Sequence, residues 1–141
     1  MTRYITLAEY IWLAEQVTGV DAAVLAKSGH IDLADSALHA PAASFGGQEF
    51  HPALLSKAAV LTTHLAWNHP QLDGNKRAAW AALVMFIDLD GDQWHPDPPD
   101  VDEAEQTMLD VAAHRADEAW LAAWLSSRVR FPKPKSHGPE L

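Results

Sequence analysis

Apolar positions recur at helical spacing through most of the chain, which predicts an all-α fold. Thr6 and Glu9 form a capping box ahead of Leu7, Ile11, Ala14 and Val17, so a first helix runs to about Thr18 and stops at Gly19. Asp21 reads as the next N-cap, with Gly29 as the stop. A short helix is predicted over 32–40. Residues 41–49 are small, polar and glycine-containing, which fits a loop or a short hairpin. Pro52 suits the first turn of a long helix ending near Asn68. Another helix is predicted over 75–89, closed near Gly91. Its residues 78–87 are apolar on every face, so it reads as a buried central helix. Pro96, Pro98 and Pro99 mark a loop, and helices over 102–114 and 117–128 complete the set.

A chain of 141 residues is one domain by size, placed here at 1–130. Pro132, Pro134 and Pro139 make 131–141 a disordered tail by expectation. Nearly half the residues are hydrophobic and six are Trp, enough for a substantial core. With no Cys, disulfides, zinc–thiolate centres and Cys nucleophiles are excluded. No signal-like N-terminus is seen, and the apolar run of ten residues is too short to span a membrane. The expectation is a cytoplasmic protein with no membrane partner.

The net charge of −9 disfavours direct binding to nucleic acid. Eight acids stand between Asp88 and Glu105 without a single Lys or Arg. That run reads as a solvated loop and helix start, with a partner-docking surface as the sharper alternative. A calcium loop over 88–99 is excluded, since Gln93 and Pro99 occupy the positions that need Gly and Glu.

The candidate chemistry lies in His69-Pro-Gln-Leu-Asp73-Gly74-Asn75-Lys76-Arg77, just ahead of the apolar helix. The first N–H groups of a helix lack internal partners and sit at the positive end of its dipole, a ready site for phosphate. Gly74 permits close approach of backbone to an anion, and Arg77 can grip phosphate oxygens with two donors. Asp73 could hold Mg2+ or simply cap the helix. His69 could cap a helix or take a proton near neutral pH. Lys76 and Arg77 could be solvated cations. At a helix N-terminus, though, they oppose the dipole unless an anion arrives, and that local conflict is itself a functional hint. His51, His64, His95 and His114 read as surface or satisfied core residues. No Walker P-loop and no protein-kinase catalytic loop is present.

The nine-residue stretch resembles the signature of the Fic/Doc family, His-x-Phe-x-Asp/Glu-Gly/Ala-Asn-Gly/Lys-Arg. Lys76 stands where the AMP-transferring Fic branch carries Gly, and Trp80 where that branch carries a second Arg, so the resemblance is to the Doc branch. Asp35-Ser-Ala-Leu38 with Pro41, Lys57-Ala-Ala-x-Leu61, and the stretch 86–94 extend it over residues 4–128. One departure is Gln71 in place of the family's Phe. A buried Phe contributes about 1.5–3 kcal/mol, so the loop is either looser here or anchored by Leu72.

The resemblance implies a Fic/Doc helical bundle with a short flap over the site, in which residues 44–50 guide a target peptide. It implies a toxin of a toxin–antitoxin pair that moves a phosphoryl group from ATP, with Mg2+, to a Ser or Thr hydroxyl of a translation protein such as elongation factor Tu. In that reading His69 is the base, Asp73 holds the metal, and Gly74, Asn75, Lys76 and Arg77 bind phosphates. The partner would be a Phd-like antitoxin acting in trans. The chain's nearest approach to an inhibitory helix, 136–141, carries Gly138 and Pro139, which oppose helix formation. A Fic-type AMP transferase and a catalytically silent nucleotide- or partner-binding domain remain the alternatives.

Overall fold

Thr6 starts helix α1 (Leu7–Thr18) through the predicted capping box: its hydroxyl accepts from Glu9 N at 3.1 Å, and the Glu9 carboxylate accepts from Thr6 N at 2.9 Å. Gly19, at φ 76°, ends it in the left-handed conformation that a side chain would resist. The computed structural model describes residues 2–27, 31–68, 75–94 and 99–130. The stop expected at Gly29 and the tail expected over 131–141 lie outside them.

Asp21 caps α2 (Ala22–Ala26), accepting from Ala23 N. Helix α3 (Ile31–His39) runs into a 3-10 turn at Ala40–Ala42. A two-stranded hairpin follows, β1 (Ser44–Phe45) with β2 (Gln48–Glu49). Gly46 and Gly47 both have positive φ, the geometry of the tight turn that matches strand twist. Two long helices then form the centre: α4 (Leu54–Asn68) and α5 (Asn75–Leu89). Strand β3 (Gln93–Trp94), α6 (Val101–Ala112), α7 (Glu118–Arg128) and strand β4 (Val129–Arg130) complete the described chain, with β3 and β4 paired antiparallel. Asp100 and Asp117 cap α6 and α7. The fold is all-α apart from these two short ribbons.

Two helix positions differ from expectation. Pro52 stands outside α4, because Ala53 supplies the first accepting carbonyl, to Lys57 N. The helix enclosed on every face is α4: each residue from Lys57 to Thr63 is buried. Its hydroxyls stay satisfied inside the helix, Thr62 donating to Ala58 O and Thr63 to Val60 O. α4 packs against α3, α5, α6 and α7 together. Helix α5, expected to be covered all round, buries one face, Ala78, Ala79, Ala82, Leu83, Phe86 and Ile87, and leaves Trp80, Ala81, Val84 and Met85 half-buried. Trp80 and Ala81 are only partly covered because they line an open slot between α5 and α6.

Candidate functional site

Helix α5 fixes the site. Its first turn carries Lys76 and Arg77, both exposed, directly before the fully buried Ala78 and Ala79. The packing of those alanines against the core holds the helix start in place, so the two cations project from a rigid base. Neither has an ion-pair partner among the described residues. No acid stands in the first turn of α5 to complement the positive end of its dipole. Of the predicted site, Asn75 opens the helix and Lys76 and Arg77 share its first turn. His69, Asp73 and Gly74 lie outside the described residues, as do Gln71 and Leu72. The last buried turn of α4, with Leu65 and Ala66, stands at the other end of the connection over 69–74, so both flanks of the motif are anchored in the core.

Arg77, Trp80 and Ala81 follow one another at i, i+3 and i+4, which places them along one side of α5. That side faces a cavity of about 440 Å3. Pro99, Val101, Ala104, Glu105 and Met108 of the α6 region form the opposite wall, and Val17 of α1 closes the end. The lining is apolar except for Lys76, Arg77 and Glu105. Trp80 is held from behind by an aromatic cluster: its ring centroid lies 5.7 Å from that of Trp94 and 6.2 Å from that of Trp124, and Trp120 stacks on Trp124. Arg128 lies over Trp124 and pairs with Glu103. Pairing of Trp94 with Val129 across β3 and β4 ties this cluster to the end of α7. Little of this was visible in the sequence: strands of two residues give no periodic signal, and apart from Trp120 and Trp124, at i and i+4 on one helix, the indoles are far apart.

The hairpin is joined to the core by one side chain that sequence reasoning passed over. Lys57 is buried, yet its Nζ donates to Glu49 Oε1 at 2.7 Å and to Pro41 O at 3.4 Å and lies over the Tyr4 ring. Burial alone would lower its pKa. The Glu49 carboxylate and Tyr4 outweigh that and raise it above the usual lysine value. Residues 44–50 themselves are exposed, with Phe45 and Phe50 prominent among them.

Other titratable groups have structural roles. His64 faces Glu118 at 3.3 Å, and Trp67 stacks on His114 while donating to Val111 O. These match the expectation of satisfied histidines. The turn at 88–92 closes α5: Asp92 N bonds Ile87 O, and Gly91 is left-handed at φ 81°. Among the described residues no group of three or more His, Asp or Glu is arranged to hold a metal ion.

Residues 4–87 match the model of the Fic/DOC family. The chain belongs to this family. It is also 44% identical over 94 residues to Toxin Doc of Mycolicibacterium smegmatis (strain ATCC 700084 / mc(2)155), a match covering 67% of this chain and 72% of the relative. The family match ends within α5, and so takes in α1 through α4, the hairpin and the motif. The α6 wall of the slot and the aromatic cluster behind Trp80 lie mostly beyond it. No helix among the described residues is long and apolar enough to cross a membrane.

Proposed function

We propose that this protein is a Doc-like toxin of a toxin–antitoxin pair that transfers the terminal phosphoryl group of ATP to a Ser or Thr hydroxyl of a translation protein, elongation factor Tu being the first candidate. The observation that carries the reading is the Lys76–Arg77 pair on the first turn of a core-anchored helix, within a chain that belongs to the Fic/DOC family and is similar to Toxin Doc. Two unpaired cations at the positive end of a helix are an unfavourable arrangement that a polyphosphate relieves.

The chemistry assigned to each residue is as follows. His69 takes the proton from the attacking hydroxyl as its oxygen bonds to the terminal phosphorus and the bond to the ADP oxygen breaks. Lys76 and Arg77 neutralise the charge that gathers on the leaving ADP. The N–H groups at Gly74 and Asn75 donate to phosphate oxygens, and Asp73 would hold Mg2+. When bound, the ion neutralises phosphate charge. The hairpin held by Lys57 and Glu49 receives the target segment alongside. A Phd-like antitoxin supplies inhibition in trans. Phosphoryl transfer depends mainly on positioning and electrostatics, so this set of groups suffices.

Intact-mass measurement of elongation factor Tu incubated with the protein, ATP and Mg2+ tests the reading. A gain of one phosphoryl group, lost with His69→Ala, is expected. A gain of one adenylyl group would move the protein to AMP transfer and overturn the role given to Lys76.

A further inference from the structure

The C-terminal segment leaves the described residues beside the most acidic turn of the chain. We propose that residues 131–135 fold back across the turn at 88–92 of the same molecule, and that the ammonium of Lys133 pairs there with the carboxylate of Asp90.

The direction comes from the register of the second ribbon. β3 and β4 run antiparallel, with Trp94 opposite Val129 and Gln93 opposite Arg130. A chain continuing past Arg130 therefore runs back along the segment that precedes Gln93. Kept in step, Phe131 comes opposite Asp92, Lys133 opposite Asp90 and Lys135 opposite Asp88. Three extended residues cover about 10 Å on each side, so the reach is sufficient. The sequence favours an extended path. Phe131 and Lys133 each precede a proline, which keeps them out of the helical region, and the rings of Pro132 and Pro134 fix their own φ. Side chains alternate along an extended chain, so Phe131, Lys133 and Lys135 share the side of Val129, which is buried. Residues 88–92 are a helix end and turn and offer no ladder, so the contact is one of side chains.

The turn is short of the group that Lys133 would bring. Asp90 Oδ1 accepts from Arg3 N at 2.6 Å, but Asp90 Oδ2 is buried with no hydrogen-bond partner among the described residues. The same holds for Oδ2 of Asp92, a residue 6% exposed. Buried carboxylate oxygens are rarely left without a donor. No basic residue stands in the last turn of α5, whose negative dipole end favours a cation. Eight acids and no Lys or Arg lie between Asp88 and Glu105, whereas two lysines follow within five residues of Arg130. With the apolar Phe131 opposite Asp92, the ammonium falls to Asp90. The occupant is the chain's own segment because Arg130 is already paired beside the turn, which gives Lys133 a local concentration that a separate molecule lacks.

A double-mutant cycle on the whole 141-residue chain tests the contact. Urea unfolding is measured near pH 7 and at low ionic strength for the wild type, Asp90→Asn, Lys133→Gln and the double variant. Each single change is expected to raise the unfolding constant about fivefold, the upper scale of a partly exposed charge pair, and the double variant to go little further. Loss of the Arg3 contact and the change in net charge enter single and double variants alike, so they cancel in the cycle. A double variant that reaches the product of the two single effects would overturn the contact. Should Asp90→Asn fail to fold, acylation of lysines read by mass gives a second reading on the wild type. Lys133 is expected to react several-fold more slowly than Lys135, which comes opposite the exposed Asp88, and at an equal rate in urea. Equal rates in the folded protein would overturn the contact. A coupling that grows with protein concentration would give the lysine to a second copy and overturn the intramolecular assignment.

Discussion

Asp92 offers a test of how the end of α5 is balanced. The residue is only 6% exposed and its Oδ2 has no hydrogen-bond partner among the described residues. Desolvation, and then the neighbouring Asp90 carboxylate, raise its pKa from 3.8 to about 6. Asp90 itself accepts from Arg3 N at 2.6 Å, so the Arg3 amide is spent on Asp90. The folded state therefore holds a proton on Asp92 more tightly than the unfolded chain does. The resulting penalty is absent below about pH 4, where both states are protonated, and is complete above about pH 6. Stability from this group falls as pH rises through that window. A shift of this size corresponds to about 3 kcal/mol at most, and screening at a surface turn reduces it to roughly 1–2 kcal/mol. Asp92→Asn removes the titration with little change in shape, though its amide brings a donor that costs about 1 kcal/mol if unpaired. That cost does not vary with pH. Urea unfolding of the two proteins at several pH values between about 4 and 7 should thus show the variant gaining on the wild type by roughly 1–2 kcal/mol across the window. Glu9 works in the opposite sense. Its bond from Arg3, then that from Thr6 N, hold it down to about 2, so its stabilisation is present above about pH 4.5 and is lost as pH falls toward 2. Both proteins share it, and it cancels in the difference. A difference that stays flat from pH 4 to 7 would refute the argument.

Replacing Lys76 and Arg77 together with Ala should leave the ligand-free fold unchanged or stabilise it by about 0.3–1 kcal/mol, since both oppose the dipole of α5. The same change should abolish the rise in melting temperature that ATP produces in the wild type. Leu65→Ala, in the enclosed part of α4, should cost about 2–5 kcal/mol in denaturant unfolding. A loss below about 1 kcal/mol would show that α4 is not the packing centre. Lys57→Met keeps the buried stem but releases Glu49, so limited proteolysis should cut within 44–50 faster while the melting temperature changes little. Unchanged cleavage would mean that the ion pair does not hold the hairpin.

Where the sequence could be read, a local signal carried the information. The capping box at Thr6, the Asp21 cap, the Gly19 and Gly91 stops and the start of α5 at Asn75 all depend on residues within a turn of each other. The hairpin was half-legible, because its paired glycines permit a tight turn without requiring one. Burial was misplaced between the two long helices. Apolar composition marks both, but which is enclosed depends on how many neighbours surround it. α4 is covered by α3, α5, α6 and α7, whereas α5 leaves Trp80 and Ala81 on the slot. The buried ion pair of Lys57 was not legible, because Glu49 and Pro41 are brought to it from a different segment. The placing of the cation pair on the first turn of α5 was legible. The cleft beside it was not, because its two walls are about twenty residues apart and meet only through tertiary packing.

Helix α5 is charged against its own dipole at both ends. Lys76 and Arg77 stand at the positive terminus, and Asp88, Asp90 and Asp92 cluster at the negative one. Its helicity must therefore come from burial of Ala78, Ala79, Ala82, Leu83, Phe86 and Ile87, whose combined contribution exceeds the few tenths to about 1 kcal/mol lost at each mis-signed charge. The two ends are relieved differently. At the C-terminal end the Arg3 amide relieves Asp90 internally, and Asp92 is relieved by its proton only below about pH 6. At the N-terminal end the described residues offer no counter-charge, so relief has to come from outside the helix. Under the proposed function a bound polyphosphate supplies it, adding stability as RT ln(1 + [L]/Kd). A helix stabilised by its packing can keep such mis-signed charges at its ends without unravelling, and under the proposed function this lets one element serve both as a core strut and as an anion receptor in a protein whose net charge is −9.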